Sequence, residues 1–555
     1  MKKFTAILLA VVMVFALGAS AFAATNSLET DYAIGDGLGV SVDLDIEGMY
    51  FDGSDILNTA TNGYYPFSFS LIASDRSKVA SVTVSNGGSF HWAYAQNADG
   101  SYVTDEDGNY VESTTTNYGV VVLPTTSAST VTVTGTGNIG SATFNCAQPS
   151  GGTTAAGAAL YAYLPAPAQF VNEGVTTGGW GDAYDSNGTV KATSSTGVSL
   201  GFFGGYAVYE FENPIADDPT HPYGADFIVY GNAFWNNSEA GCIQVSKDGA
   251  TWYDIAGSMY YTKSTKGATI TYTNPSTSED AGITAAGTNL GTLAPVNYTL
   301  NGTAGTVTTN TFHNHSWFPL NANYFTASGS RAAMAKLDEF SFVSRTLASN
   351  GVTNTLTFTG TLLTDYPGTG KTDQIGFGYC DVHPNKTLGG TIAYNPYQTF
   401  TSSSDYDTKV AGTSGGDPID IAWAVKSNGT PANLDSIRYV RIYTGMAQMN
   451  GIFGEISTEV CGVAACTGST TETAATPTIS VDGSTVTTTN GGILPLSKKS
   501  GDYTVNVTGT GYVYINGVAT TSATITPTRT GTKVQIIVQN GEAAPYVTYL
   551  NLQKK

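Results

Sequence analysis

Short stretches in which apolar and polar residues alternate recur along most of the chain. A period of two predicts strands, because successive side chains of a strand point to opposite faces. Toward the N-terminal end the pattern runs through Val42-Asp43-Leu44-Asp45-Ile46-Glu47, Val82-Thr83-Val84 and Val131-Thr132-Val133-Thr134. Toward the C-terminal end Tyr503, Val505 and Val507 alternate with Thr504, Asn506 and Thr508, and Val534, Ile536 and Val538 repeat the pattern. Each stretch predicts a half-buried strand of an antiparallel sheet. Helical periodicity is almost absent; its best run, 331–340, reads equally well as a loop. The expected fold class is all-β.

Two low-complexity stretches interrupt the alternation. Residues 147–158 are Gly, Ser, Thr and Ala apart from Gln148 and Pro149, and residues 464–478 are mostly Thr and Ala with Pro477. Side chains so small and polar build no core, so both read as linkers or domain edges. At 555 residues the chain exceeds what one hydrophobic core holds. The expected organisation is a signal peptide at 1–24, an N-terminal β-sandwich at 27–150, a large central unit at 158–463, a linker at 464–475 and a C-terminal β-sandwich at 476–555. The signal is read from Met1-Lys2-Lys3, an apolar run over 6–17 and the small residues around Ala21-Phe22-Ala23, an apolar run too short to span a membrane stably. A secreted, extracellular chain with no membrane span in its mature form is expected. With no Cys at the cleavage point and no apolar tail, release or non-covalent retention is the expected fate.

Composition sharpens this picture. Charged residues are only 12%, while Gly (65) and Tyr (33) are abundant, which suits many short strands joined by tight turns. A formal charge of −20 makes nucleic acid and anionic membranes poor partners. Acidic surfaces also serve solubility alone, and calcium binding is the sharper alternative. None of the five cysteines forms a CxxC pair, so neither structural zinc nor haem is indicated. Export permits disulfides, and Cys461 with Cys466 is a candidate pair closing a short loop, while Cys242 and Cys380 read as buried free thiols. Catalytic patterns are poor. Ser414, in Gly412-Thr413-Ser414-Gly415-Gly416-Asp417, has Thr where a serine-protease loop has Asp, and His383 lacks the expected surroundings. His313 and His315 share a strand face but have no third metal ligand at a telling spacing. No catalytic residue is assigned, and the expected protein is not an enzyme.

The central unit carries the most specific signals. Val245-Ser246-Lys247-Asp248-Gly249-Ala250-Thr251-Trp252-Tyr253 reads as a strand, a tight Asp-Gly turn and a second strand carrying a Trp. Ile437-Arg438-Tyr439-Val440-Arg441-Ile442-Tyr443 alternates apolar and charged positions and is followed by Gly454-Glu455-Ile456-Ser457. Together these segments resemble the discoidin, or coagulation factor 5/8 type C, jelly roll, a galactose-binding-like fold with an S-x-D-G-x-x-W hairpin. Tyr163-Leu164-Pro165-Ala166-Pro167, Gly178-Gly179-Trp180-Gly181-Asp182, Asp226-Phe227-Ile228-Val229-Tyr230-Gly231 and Gly415-Gly416-Asp417-Pro418-Ile419 resemble the "cell surface protein" module of secreted bacterial proteins. The distance from the Trp252 hairpin to the Arg438 strand exceeds that of an ordinary discoidin domain, so an insertion or a second sheet is expected between them. Tyr512-Val513-Tyr514-Ile515-Asn516-Gly517 and Tyr546-Val547-Thr548-Tyr549-Leu550 resemble a cadherin-like β-sandwich.

These resemblances imply a central jelly-roll-like β-sandwich flanked by two smaller antiparallel sandwiches. They further imply a structural calcium where an early loop meets the last strand, with Asp182, Asp185, Asn187, Glu455 and Glu459 as ligands; the competing reading is that the loop residues only form turns. Sugar rings stack on aromatic faces, and Trp180, Trp235, Trp317 and Tyr397 lie in turn-rich sequence as candidate ligand contacts, whereas Trp252 and Trp423 fit the core. The expected function is that of a surface or matrix binding and adhesion protein whose partner is an extracellular glycan or cell-wall polymer. A self-assembling sheath or surface-layer component, whose partners are other copies of itself, and a polysaccharide-processing enzyme are the alternatives.

Overall fold

The computed structural model describes residues 30–43, 68–86, 88–93, 95, 103, 105, 111–122, 129–146, 158–170, 197–273 except 236, 248 and 250, 295–310, 317, 355–364, 376–450 except 393, and 454–555. The chain is all-β, and among the described residues the only α-helix is Ser403–Lys409. The N-terminal unit pairs a five-stranded sheet with the three-stranded sheet of Val79–Val84, Ser129–Gly135 and Ser141–Cys146. Val131 and Val133 point into its core, as their alternation requires.

The central unit is built on a six-stranded sheet in the order Ala424–Val425, Tyr253–Ile255, Gly241–Ser246, Ser436–Thr444, Tyr206–Ala216 and Ala158–Leu164. The turn of the Trp252 hairpin is set by Gly249, whose φ of +75° favours glycine and whose N–H donates to Ser246 Oγ (2.8 Å). Trp252 is half-buried, with its indole N–H on Gly249 O (3.0 Å) and the Arg441 guanidinium 4.0 Å above its ring. Between this hairpin and the Arg438 strand lies the second sheet that the spacing called for. Its order is Thr303–Val307, Val296–Leu300, Ser264–Thr273 and Thr355–Leu363. Tyr272 and Phe358 from this sheet pack with Tyr206 and Phe202, and Tyr272 Oη donates to Phe203 O (2.7 Å).

A three-stranded sheet of Asp417–Ile419, Phe227–Tyr230 and Gly462–Ala465 completes the unit. Its middle strand is buried on both faces. Phe227 and Val229 enter the main core, and Ile228 and Tyr230 enter a second cluster with Cys461, Ala464 and Cys466. Cys461 and Cys466 flank the strand Gly462–Ala465, so their Cα atoms are separated by roughly 16 Å of extended chain, well beyond disulfide reach. The expected short-loop bridge therefore does not form; both are buried free thiols, as are Cys242 and Cys380.

The C-terminal unit is a sandwich of four and five strands. The strand Tyr503–Thr508 alternates as its sequence predicts, with Tyr503, Val505 and Val507 inward. One of its sheets is covered twice. Along Thr532–Gln539, Val534, Ile536 and Val538 fill the sandwich core, while Gln535, Ile537 and Gln539 are buried on the opposite face. That opposite face meets the central unit: Ile537, Val547 and Tyr549 join its core. Tyr514 Oη donates to Tyr397 O (3.0 Å), and Asn395 Nδ2 to Gln539 Oε1 (2.8 Å). The connecting stretch 464–475 starts inside the three-stranded sheet and is held from both sides. Cys466 N–H donates to Asp226 O (2.8 Å), Thr470 N–H to Thr220 O (2.7 Å), and Glu542 N–H to Glu472 Oε2 (2.8 Å).

A connection tied down this way resists proteases, because its backbone is not free to enter a protease cleft. Limited proteolysis is expected to leave 464–478 uncut. Gly517, at φ +76°, places its Cα where an added Cβ would sit 1.9 Å from Ser258 O of the central unit. Gly517→Val is expected to destabilise the chain by about 2 kcal/mol or more and to open a cut in 464–478, both read by denaturant melts and digestion patterns.

Candidate functional site

Three chain segments converge at one end of the six-stranded sheet and bring carboxylates together. Glu239 sits just before Gly241–Ser246, and its N–H donates to Asp381 O (3.0 Å). Gly241 and Cys380 exchange both backbone hydrogen bonds (3.0 and 2.9 Å), fixing the Asp381 segment beside it. Asp381 takes a left-handed φ of +62°, a conformation that Asp tolerates better than bulkier residues. Its carboxylate accepts from Asn232 N–H (2.7 Å) and from Glu459 N–H (3.1 Å). Gly231 lies against it; a Cβ there would meet Asp381 Oδ1 at 2.2 Å. Glu459 starts the short strand Glu459–Val460, paired with Val198–Ser199, and accepts from Ser457 Oγ (3.1 Å).

Ligand atoms of Glu239, Asp381 and Glu459 all lie within 4.8 Å of one another. The carboxyls of Glu239 and Glu459 share a hydrogen bond, which requires a proton between them. Burial, reinforced by Glu459 and Asp381, holds Glu239 well above the ordinary carboxylate range, and burial pushes Glu459 up to about 7. Glu455 is 4% exposed. Its Oε1 accepts from Gln169 N–H (3.1 Å), while its Oε2 has no hydrogen-bond partner. Burial, with Glu459 nearby, pushes Glu455 up to about 8.

Of the sequence-predicted metal ligands, Glu459 belongs to this acidic cluster, while Glu455 is not among the acids whose ligand atoms lie within 4.8 Å of one another. Asp182, Asp185 and Asn187 lie outside the described residues, as does Trp180. Glu239 and Asp381 escaped sequence reading. Each is a single acid at a strand end, far from the others in sequence, so no spacing marks the set.

A second trio, Asp217, Asp226 and Asp420, lies where the 217–226 loop meets the C-terminal unit, with Tyr223 N–H donating to Glu542 O (2.7 Å). It is compensated differently. His221 Nδ1 lies 3.1 Å from Asp226 Oδ1, and the backbone N–H groups of Asp218 and Ile421 donate to the same carboxylate (3.0 and 2.9 Å). Burial, with Asp226 and Asp218 alongside, pushes Asp217 up to about 7.

The aromatic candidates separate clearly. Trp317 is 2% exposed and Tyr397 1%, so both rings are core and offer no face to a sugar. Tyr397 Oη instead accepts from Trp423 Nε1 (2.9 Å). Trp235 is half-buried, packed on Phe400 and Tyr406 at ring separations of 6.4 and 6.1 Å. Next to it Phe234 is 65% exposed at a turn in which Asn237 N–H donates to Phe234 O (3.0 Å). Beneath Trp235 the helix Ser403–Lys409 presents Tyr406; Ser402 Oγ caps it by accepting from Asp405 N–H (3.1 Å). Lys409 and Lys386 lie 5.5 and 5.2 Å over Phe400 and Tyr406. His383 stacks on Tyr406 and pairs through Nδ1 with Asp417 Oδ1 (2.8 Å), whereas Ser414 is fully buried with its Oγ accepting from Thr391 N–H (2.8 Å). His313 and His315 lie outside the described residues. No family model matches the chain, and no curated protein was found as a relative.

The Asp217 trio sets a pH dependence. A carboxyl whose folded pKa exceeds its unfolded value contributes stability that is complete below the unfolded pKa and lost as pH rises through the folded one. For Asp217 that window runs from its ordinary 3.8 to about 7. Asp217→Asn is expected to leave the melting temperature nearly unchanged near the bottom of that window and to raise it relative to the parent above the window. Equal melting curves across the range would contradict the assignment.

Proposed function

We propose that this is a secreted cell-surface or matrix binding protein, and that its central discoidin-like sandwich engages an extracellular glycan or cell-wall polymer. The observation that carries the reading is the exposed Phe234 beside the half-buried Trp235, on a turn with Asn232, Asn237 and Ser238 close in sequence and two lysines over the neighbouring rings. An exposed phenyl ring stays in water at a free-energy cost of about 1.5–3 kcal/mol relative to burial, which a sugar face or polymer chain would relieve. The ring cluster beneath it fixes the turn, so binding would order little that is not already ordered. The signal-like N-terminal segment and the −20 charge agree with an extracellular setting.

A self-assembling surface component is the second reading. It is favoured by the C-terminal sandwich, where Ile493 starts an edge strand and is 42% exposed and Val518, in the two-residue strand at the other edge of the same sheet, is 48% exposed.

A glycan array probed with the purified mature chain tests the proposal. Binding without sugar release is the expected outcome. Phe234→Ala should weaken that binding at least about tenfold while leaving the melting temperature within a degree or two, because the ring is exposed. Trp235→Ala should weaken binding and also lower the melting temperature, because half of the ring is packed. Filaments or sheets in electron micrographs without glycan binding would replace this reading with self-assembly, and released sugar would replace it with hydrolysis.

A further inference from the structure

Cations are scarce on this chain, with 23 lysines and arginines against 43 aspartates and glutamates. Two lysines nevertheless meet over one small aromatic cluster beside the exposed Phe234. Trp235, from the same turn, packs on Phe400 and Tyr406, whose own ring centres are 4.9 Å apart. Lys409 Nζ lies over the Phe400 ring and Lys386 Nζ over the Tyr406 ring, so each ammonium stands one ring away from Trp235. The parts come from remote stretches of chain: the turn, the segment just after His383 and the end of the helix Ser403–Lys409. An exposed ring flanked by ammonium groups offers a sugar both a stacking face and partners for negative charge.

Neither lysine is used up by its neighbours. Lys386 pairs with Asp407, and Lys409 pairs with Asp405 (3.1 Å) and donates to Thr399 O (2.7 Å). An ammonium has three N–H donors, so both keep capacity for another acceptor. Asp405 is answered by its own segment as well: Thr401 N–H donates to it (2.8 Å), and that bond first, then Lys409, holds its carboxyl below the ordinary range. The Asp407 side chain is 59% exposed, so it can turn into water when another acid takes its place. His383, the third basic group of the cluster, is buried against Asp417 and takes no part.

We propose that the Phe234 turn selects an acidic glycan whose sugars carry carboxylate or sulfate groups, an inference that rests on the glycan-binding reading of this turn and adds the charge of its ligand. Phe234 and Trp235 cover the C–H face of one sugar ring, while Lys386 and Lys409 receive acid groups on that ring or the next. Hydrogen bonds from an ammonium to an acid group are stronger than neutral ones, which sets the preference over an uncharged polymer. The −20 charge of the chain opposes an anion at a distance. Salt screens that opposition beyond roughly 8 Å at physiological ionic strength, so the local lysines decide.

The test measures equilibrium binding of the full chain to immobilised polygalacturonate, its methyl ester, dextran sulfate and dextran, which set each charged polymer against an uncharged counterpart. The charged polymers are expected to bind more tightly, and added sodium chloride to weaken them selectively. Lys386→Gln and Lys409→Gln should each weaken the charged polymers about two- to fivefold, reducing both the preference and its salt dependence. Melting temperatures should hold, because both side chains are largely at the surface. Phe234→Ala should weaken charged and uncharged polymers alike. Lys499→Gln, at an exposed lysine of the C-terminal unit, should change nothing. Equal affinity for charged and uncharged polymers overturns the proposal and leaves the glycan reading standing. A charged preference that survives in both variants, or that falls as much in Lys499→Gln, also overturns it, because the anion is then held elsewhere. Failure to bind any of the four polymers or any arrayed glycan removes the glycan reading, and this proposal with it.

Discussion

The structure depends on one strand finding two partners that are remote in sequence. Ser436–Thr444 pairs antiparallel with Tyr206–Ala216 on one side and with Gly241–Ser246 on the other. Until it inserts, the two earlier strands have no neighbour between them, and neither the aromatic layer around Tyr443 nor the acidic centre exists. Tyr443 Oη accepts from Thr361 N–H (2.8 Å), which ties the second sheet to this strand. Arg438 reaches Glu210 across the pair, so the one charge buried at this point arrives with its counter-charge. Removing either partner alone would strand the other in the core, a far larger penalty than the net worth of the pair. Loop closure over such distances is slow.

A second dependence follows from the doubly buried sheet of the C-terminal unit. A strand that alternates apolar and polar residues usually shows its polar face to water. Along Thr532–Gln539 the second face carries Gln535 and Gln539, each bonded through its amide nitrogen: Gln535 Nε2 donates to Tyr549 Oη (3.1 Å) and Gln539 Nε2 to Ala543 O (3.1 Å). These glutamines look like surface residues in sequence and are interface residues in the fold. The stretch 464–475 misleads in the same way. Its small residues suggest slack, yet small residues also let the strand Gly462–Ala465 lie against Phe227–Tyr230.

Much of the fold was legible because it rests on period two and on Asp-Gly turns. The Val505 strand, the Trp252 hairpin, the insertion before Arg438 and the burial of Trp423 all follow from local pattern. The site was legible only in part. Glu455 and Glu459 stood out through their position after the Arg438 strand, whereas Glu239 and Asp381 become neighbours only through the Gly241–Cys380 bridge, which no local signal announces. The aromatics show the same limit. Trp317 and Tyr397 sit in turn-rich sequence, but turns in a chain with this many sheets often lie between layers. Tyr397 is covered because the C-terminal sandwich docks on it, a fact that belongs to another unit's strands.

The interface between the central and C-terminal units also constrains how the two can move. Joining the central and C-terminal units through Tyr514, Tyr397, Phe377 and Tyr549 makes their interface part of the main core. Relative motion of the two units would then expose aromatic surface and break the Asn395–Gln539 hydrogen bond together. A flexible tether would let each unit sample its own orientation; this interface fixes one. The Phe234 turn and the C-terminal sandwich are consequently held in one fixed relation by a shared core.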